Sequence, residues 1–244
     1  MTSILVGSRT RSASDPDRSL PGQGPYRALH MTADTFAREV QIDELAYSAG
    51  VDPVDYRLSL LQDERLAVVM EAAARRFGWW FPWYPAGGPA LWAKGWLRRG
   101  GGVAVGLEED RRVATCAEVC PDGIARLRVT RIVTAYECGA VVDPDTVIAQ
   151  IKGGTAMALG GALAGSPIFG RDEADSPPLP AGQAPSPADA PKIEVLLLHR
   201  PDLSSTGVGA TPLIALAPAI ANAIFAATGQ RLRSLPLPPE GPIR

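Results

Sequence analysis

The stretch that decides the fold is Gly207-Val-Gly-Ala-Thr-Pro-Leu-Ile-Ala-Leu-Ala-Pro-Ala-Ile-Ala-Asn-Ala-Ile-Phe-Ala-Ala-Thr-Gly229. Its first two glycines, Gly207 and Gly209, adopt positive φ without strain and let other groups approach the backbone closely. A helix is predicted over 216–228, because Gly229 is the residue type that most often follows a helix end. The stretch therefore predicts a glycine loop that leads into a helix.

The predicted helix carries Ala, Ile and Phe on every side, which is typical of a helix buried in the core. The polar side chain inside it, Asn222, then needs hydrogen-bond partners within the protein. A glycine loop before a buried helix N-terminus favours anion binding, because free N–H groups and the helix dipole point toward it. An ordinary tight turn before a core helix has the same composition, so both interpretations stay open.

The composition favours a globular protein. The chain has 244 residues, 46% of them hydrophobic, and a net charge of −2, which argues against a nucleic-acid partner. No run of about 18 apolar residues free of Gly and Pro occurs, so no membrane span is expected. Residues 1–25 lack the apolar segment of a secretory signal and are predicted to form a flexible arm. A cytoplasmic location is expected.

The cysteines Cys116, Cys120 and Cys138 form an odd set. Cys116 and Cys120 have a spacing that could suggest a metal pair. Only two histidines, His30 and His199, are available to complete such a site. Buried free thiols in a reducing compartment are therefore predicted, without a metal site.

The region 26–100 is predicted to be helical, with a Trp-rich loop at its end. Apolar residues recur at helical spacing in a helix that begins at Thr32 or Asp34 and ends at Gly50, and further helices follow Asp52-Pro53 and cover 64–77. The acidic residues of the first helix could be catalytic, but their spacing is typical of a solvated face. They are Glu39, Asp43 and Glu44.

All five tryptophans lie within 79–102, among prolines and glycines; they are Trp79, Trp80, Trp83, Trp92 and Trp96. Such a cluster is typical of an interface or a lid on the chain's own core. A pocket for a small molecule is the alternative.

The region 101–244 is predicted to combine strands and helices. Alternating segments at 102–107, 114–120 and 125–135 predict an antiparallel meander. A strand is also predicted over 192–198, after a flexible Pro- and Ala-rich loop at 166–191. The predicted fold class is therefore α+β, with an antiparallel or mixed sheet and packed helices.

A long helix is predicted over 144–163, with Asp143 as its N-cap. Each of its four internal glycines costs roughly 1 kcal/mol against Ala, which predicts a close contact that excludes a Cβ. The glycines are Gly153, Gly154, Gly160 and Gly161. Gln150 could then reach a ligand across that contact, or the helix could simply pack tightly on the sheet.

Four segments together resemble a known family, the molybdopterin-binding large subunit of the xanthine dehydrogenase/aldehyde oxidase superfamily, in its C-terminal part. The resemblance is to the branch of isoquinoline 1-oxidoreductase β-subunits. It covers roughly 26–165 and 192–237. The segments are Phe36-Ala-Arg-Glu-Val-Gln-Ile-Asp-Glu-Leu-Ala46 with Asp52-Pro53, Glu137-Cys-Gly-Ala-Val-Val-Asp-Pro-Asp145, Ala149-Gln-Ile-Lys-Gly-Gly154, and the stretch from Ala217 to Pro236.

The resemblance implies the fold of the family's second molybdopterin-binding domain and a molybdopterin cofactor, retained or lost. The implied cofactor contacts are Gln150, Gly153, Gly154, Gly207, Gly209 and Thr211. It also implies a protein partner that supplies the first molybdopterin-binding domain, or a homo-oligomer. Three cysteines exclude an iron–sulfur cluster with four thiolate ligands from this sequence.

The sequence departs from the family pattern at the catalytic position. In the family, a glutamate after the Gly-x-Gly turn acts as the base for hydroxylation of an aldehyde or an N-heterocycle, and the matching residue is Ala210. Alanine cannot accept a proton, and a general base is typically worth about 10²–10⁴ in rate. Lys152 also replaces a usual glutamate of the family.

Three functions follow from the resemblance and its departures. The first is a truncated family subunit that is not catalytic by itself and works in a complex. The second is a split molybdopterin-binding subunit of an oxidoreductase. The third is a repurposed, cofactor-free biosynthetic enzyme, with Glu118, Glu137, Asp143 or His199 as candidate catalytic groups.

Overall fold

The structure, a computed structural model, describes residues 29–79, 99–121, 127–163, 190–235 and 237. The predicted arm at 1–25 lies outside the described residues. So do Trp80, Trp83, Trp92 and Trp96, and almost all of the predicted loop at 166–191.

Along the described chain, three helices are followed by three strands, and then by a helix, a strand and two helices. The helices are α1 (Leu29–Ala49), α2 (Pro53–Leu60), α3 (Glu64–Phe77), α4 (Pro144–Leu163), α5 (Thr211–Ile214) and α6 (Leu216–Thr228). The strands are β1 (Gly100–Glu108), β2 (Arg111–Pro121), β3 (Leu127–Glu137) and β4 (Lys192–Leu197).

Local sequence signals explain where most helices begin and end. Asp52 caps α2 by accepting the N–H groups of its first turn, and Gly78 and Gly229 follow α3 and α6 with φ of 75°. The predicted bounds of α3, α4 and α6 are confirmed. The predicted start of α1 at Thr32 or Asp34 is wrong, because no Gly or Pro stops the helix from beginning at Leu29.

The four strands form one mixed sheet in the order β1-β2-β3-β4. The first three strands pair antiparallel, as predicted, and β4 pairs parallel to β3 after the crossover through α4. A bulge opposite Glu118 and Val119 adds one residue to β3, so Val129 and Ile132 both point to the same face. The predicted α+β class with a mixed sheet is confirmed.

Helices cover both faces of the sheet. The face that packs against α3, here called the α3 face, carries Val103, Val105, Ala114, Cys116, Val133 and Ala135. The opposite face, here called the α6 face, carries Ala104, Val113, Ala117, Val119, Val129, Ile132 and Tyr136, and packs against α4, α5 and α6. The sheet is therefore the middle layer of three.

Helix α6 lies unusually close to β1 because the strand presents glycines to it. A Cβ added at Gly100 would lie 2.1 Å from the carbonyl oxygen of Ala223, and one at Gly102 would lie 2.2 Å from that of Ala219. The helix contributes alanines at the same contact, including Ala227. Small residues on both sides thus let the two backbones approach each other directly.

Side chains of α1 and α6 bond to the middle of the outer edge of β1. The Asn222 side-chain amide donates to the carbonyl of Val103 at 3.1 Å, and its carbonyl oxygen has no partner among the described residues. The N–H of Val105 donates to the Glu39 carboxylate at 3.1 Å, and Arg38 donates to the carbonyl of Val105 at 3.4 Å. An exposed strand edge is a template for aggregation, and here three of the outward groups of β1 are bonded within the chain.

The Glu39 carboxylate belongs to a buried ionic network that the sequence pattern did not predict. Arg57 donates to Glu39 at 2.9 Å and lies 3.7 Å from Asp43, which also pairs with Arg231 at 2.7 Å. Glu39 and Asp43 are buried, so their predicted place on a solvated face is wrong. The physical reason is that α2 covers this side of α1 and supplies Arg57. Glu44 is partly exposed and pairs with Arg233.

The glycines of α4 do not make the predicted close contact. A Cβ at Gly153, Gly160 or Gly161 would meet nothing within 4 Å, and one at Gly154 would meet only the end of the Leu213 side chain, at 2.9 Å. The prediction is therefore wrong for three of the four positions, because that side of α4 has no packed neighbour among the described residues.

One described stretch, Thr211–Thr228, is long and apolar enough to cross a membrane. Because 89% of it is buried inside the protein, it has the character of a core helix. All three cysteines are free. The predicted burial is confirmed for Cys116 and Cys138 and is wrong for Cys120, which is partly exposed. Burial raises the pKa of the Cys116 thiol to about 12, so this thiol stays protonated at neutral pH.

The substitution Gly102→Ala is expected to lower the free energy of unfolding by about 3 kcal/mol or more, because overpacking typically costs about 1–3 kcal/mol and the added Cβ would meet backbone. The matched change Gly153→Ala is expected to raise it by roughly 0.5–1 kcal/mol, since a helix interior favours Ala over Gly and the site is open. Urea denaturation measures both. Equal effects would contradict the close packing of α6 on β1.

Candidate functional site

The glycine loop, defined here as Thr206–Ala210, is hydrogen-bonded to two side chains of the sheet, one on β2 and one on β3. Arg111 donates to the carbonyl of Thr206 at 3.1 and 3.0 Å. The Tyr136 hydroxyl donates to the carbonyl of Val208 at 2.6 Å and lies 3.2 Å from the carbonyl oxygen of Gly207. Three successive carbonyls of the loop therefore face the protein.

The direction of these carbonyls decides where the N–H groups point. In a trans peptide the C=O and N–H bonds point in opposite directions, so the N–H groups of Gly207, Val208 and Gly209 face away from Arg111 and Tyr136. None of them has an acceptor among the described residues. Consecutive outward N–H groups make an anion-binding concavity.

The two glycines make this backbone path possible. Gly207 has φ of 71° and Gly209 has φ of 58°, values at which other residues are strained. A Cβ at Gly209 would also lie 3.2 Å from the guanidinium carbon of Arg111. The requirement for glycine at both positions is thus explained by backbone geometry and, at Gly209, by the packed arginine.

A carboxylate that the sequence analysis missed lies beside the loop. The Thr211 hydroxyl donates to Glu108, and Arg111 lies 3.7 Å from the same carboxylate. Glu108 and Arg111 flank the turn between β1 and β2, about one hundred positions away in sequence from Thr211. Only the pairing of β1 with β2 in three dimensions could reveal this contact.

Burial raises the pKa of the Tyr136 phenol above its usual range. The hydroxyl therefore keeps its proton at every physiological pH and remains a hydrogen-bond donor. The hydrogen bond from Tyr136 to the carbonyl of Val208 is therefore kept across this pH range.

Ala210 is the last residue of the loop and directly precedes α5. Its φ of −100° and ψ of −5° lie in the right-handed helical region, and no side chain caps α5 at this position. The residue is partly exposed. At this position the loop has a methyl group and therefore no group that can exchange a proton.

The other predicted cofactor contacts lie on α4, beside α5. Gly154 approaches the side chain of Leu213, which brings α4 next to the helix that begins at Thr211. Gln150 and Gly153 are exposed on the same helix. The structure thus places the two predicted segments, the glycine loop and α4, on neighbouring elements.

The four candidate groups of a cofactor-free enzyme do not form one cluster. Glu118 accepts from Thr130 at 2.6 Å on β2 and β3, far along the strands from the glycine loop. Asp143 caps α4, and His199 accepts the N–H of Val141 at 3.0 Å.

Glu137 is buried in an ion pair with Arg65, whose Nε donates to it at 2.9 Å. Each of the four groups is thus engaged locally. Among the described residues, no set of three or more His, Cys, Asp or Glu side chains is placed to hold a metal ion.

Two solved structures share the fold of this chain. The aldehyde oxidoreductase of Desulfovibrio gigas matches 88% of this chain and 41% of its own, with a TM-score of 0.63 and 15% identity. The aldehyde oxidoreductase of Desulfovibrio desulfuricans matches 88% of this chain and 40% of its own, with a TM-score of 0.68 and 17% identity. The fold is therefore that of a domain found in these enzymes.

Sequence comparisons add the family. Residues 111–175 match the model of a molybdopterin cofactor-binding domain. A nicotinate dehydrogenase subunit of Pseudomonas putida is 33% identical over 88% of this chain, and the isoquinoline 1-oxidoreductase β-subunit of Brevundimonas diminuta is 32% identical over 87%. The chain belongs to the xanthine dehydrogenase/aldehyde oxidase superfamily and corresponds to a part of its molybdenum-binding subunit. It spans 18% and 26% of the length of these two relatives.

Removing the Tyr136 hydroxyl is expected to loosen the glycine loop. The substitution Tyr136→Phe should lower the free energy of unfolding by about 1–3 kcal/mol, because it leaves a loop carbonyl without its donor. The control is Tyr56→Phe, whose hydroxyl has no partner among the described residues, and it should change stability by less than about 0.5 kcal/mol. Urea denaturation of both variants measures the difference, and an unchanged Tyr136→Phe protein would contradict the fastening of the loop.

Proposed function

We propose that this chain forms part of a molybdopterin-binding site in an oxidoreductase complex and is not catalytic by itself. The observation that carries the proposal is the glycine loop, whose carbonyls face Arg111 and Tyr136 and whose N–H groups point outward. A preorganised row of N–H groups suits the oxygen-rich, negatively charged groups of a molybdopterin cofactor.

The residues that would hold the cofactor lie on two neighbouring elements. The loop would contribute the N–H groups of Gly207 and Gly209 together with Thr211, and α4 would contribute Gln150 and the backbone at Gly153 and Gly154. The family membership supports this assignment, since the cofactor-binding model covers α4. When bound in this family, the molybdenum centre supplies the chemistry of hydroxylation at an aldehyde or N-heterocyclic carbon.

The proposed lack of catalysis follows from Ala210. The alanine cannot take up the proton that the glutamate of the family takes up at this position. The loop would then bind and orient the cofactor without moving a proton. The alternative is that a second polypeptide supplies the base. The same site would then still support hydroxylation of an aldehyde or N-heterocycle.

A protein partner is part of the proposal. The two relatives are named as subunits, and this chain spans 18% and 26% of their length. The open glycine side of α4 supports a partner that packs there. Each glycine inside a helix lowers its stability by roughly 1 kcal/mol relative to alanine, and no close contact within the described part of this chain compensates at Gly153, Gly160 and Gly161. We further propose a cytoplasmic location, which the three free cysteines support.

The content of molybdenum and pterin in the protein, purified with its natural partner, tests the proposal. We expect molybdenum in stoichiometric amount. The variant Gly207→Ala should lower the metal content several-fold, because the strained residue at φ of 71° would turn the loop N–H groups away. The control Gly50→Ala has a similar φ of 67° and equally open space, and it should keep the metal. A complex without metal would overturn the proposal.

Restoring a carboxylate at the loop tests the role of Ala210. With cofactor bound, Ala210→Glu is expected to raise hydroxylase activity by about 10²-fold or more, the typical value of a general base. The matched variant Ala210→Gln has nearly the same shape but cannot accept the proton, and it should stay at the starting activity. Steady-state assays with an aldehyde and an N-heterocycle measure both. Equal rates for the two variants would count against the alanine as the cause of inactivity.

A further inference from the structure

The two edges of the sheet differ in how their backbone groups are satisfied. On the β1 edge, side chains bind three outward groups, namely the carbonyl of Val103 and both the N–H and the carbonyl of Val105. On the β4 edge, no hydrogen bond to an outward group is formed by any residue of the described ranges. The β1 edge is therefore engaged along its middle, and the β4 edge is free within the described part of the chain.

The pairing of β4 with β3 shows which groups are outward. The N–H of Leu198 donates to the carbonyl of Tyr136 at 2.9 Å, and the strands are parallel with Ile132 opposite Ile193. In a strand, successive residues point their N–H and C=O groups to alternate sides. Glu194 and Leu196 therefore bind β3, and the groups of Ile193, Val195 and Leu197 point away from it.

The side chains beside this free edge are apolar on one face of the sheet. Ile193, Val195 and Leu197 pack against the core of the α6 face, yet each remains partly exposed. The neighbouring helix α4 has its open glycine side and an exposed Met157. An unpaired strand with partly exposed apolar side chains is the surface that β-augmentation uses.

The other face of the same edge is positively charged. Glu194 is surrounded by Arg76 at 2.7 Å, Arg131 at 2.8 Å and Lys192 at 3.1 Å. Burial raises the pKa of Glu194, but these cations outweigh it and the pKa falls to about 2. Three cations and one carboxylate leave a net charge of +2, and Arg76 and Lys192 are largely exposed.

The positive charge around Glu194 distinguishes between the polypeptides that could pair with the β4 edge. A second copy paired through the same edge would bring two clusters of like charge together, and like charges on adjacent strands destabilise the pairing. A strand with acidic side chains on the α3 face and apolar side chains on the α6 face would instead meet opposite charge and an apolar surface.

We propose that the β4 edge binds an extended strand of a partner polypeptide, with acidic side chains toward Arg76 and Lys192 and apolar side chains toward α4. This inference rests on the proposed function, which includes a protein partner, and it assigns the surface that this partner contacts. The interaction would give hydrogen bonds to the outward groups of Ile193, Val195 and Leu197 and extend the sheet to a fifth strand.

Hydrogen–deuterium exchange at single-amide resolution tests the inference, on the isolated chain and on the complex purified with its natural partner. The amides of Ile193, Val195 and Leu197 should exchange at least about tenfold more slowly in the complex. Those of Glu194 and Leu196, already bonded to β3, should change little. Light scattering on the isolated chain should give a monomer.

Two matched variants test the strand contact directly. Val195→Pro removes an outward N–H without touching the ladder to β3, and it should abolish complex formation while the isolated chain keeps its circular dichroism spectrum. Val195→Ala keeps the N–H and should keep the complex.

Three results would overturn the inference: outward amides unchanged in the complex, outward amides already protected in the isolated chain, or a dimer through β4. All three are measured on the unmodified protein, so they do not require that a variant folds. Metal content separates this test from that of the proposed function. A molybdenum-containing complex with freely exchanging β4 amides refutes the strand contact alone, and a metal-free complex with protected amides refutes the cofactor site alone.

Discussion

The direct contact between the backbone of α6 and the glycines of β1 is the constraint on which the rest of the structure depends. Because Gly100 and Gly102 have no side chains, the helix comes close enough for Asn222 to reach the carbonyl of Val103. The same approach draws α1 to the strand edge, where Glu39 binds both Val105 and Arg57. A buried carboxylate without its arginine would be strongly destabilising, so α2 is fixed by the same contact.

The position of α6 also determines the shape of the candidate site. The helix follows α5 and the glycine loop without a break, so its docking on β1 brings the loop over the turn between β1 and β2. Arg111 and Glu108 on that turn and Tyr136 on β3 then fasten the loop. Stability and site geometry thus depend on the same packing, and the loop needs no rearrangement to present its N–H groups.

Much of the fold could be predicted from the sequence because its signals are local. Caps and glycines mark the ends of α2, α3 and α6, and period-two alternation marks the strands. The network of Glu39, Asp43, Arg57 and Arg231 could not be predicted, since a buried acidic face and a solvated one have the same spacing in α1. The contact of Glu108 with Thr211 depends on strand pairing. The open side of α4 could not be predicted, because glycines within a helix are equally compatible with close packing and with open space. For the site, the positions of the loop glycines could be predicted, and the hydrogen bonds from Arg111 and Tyr136 that hold the loop could not.

The unequal edges of the sheet limit how this protein can associate. A sheet with two free edges can add copies at both ends without limit, as fibrils do. Here side chains of α1 and α6 bind three outward groups of β1, so the β4 edge is the one that offers a row of free backbone groups among the described residues. Engaged groups at one edge and free groups at the other give added strands one preferred place to pair, and this asymmetry favours a finite assembly over a fibril.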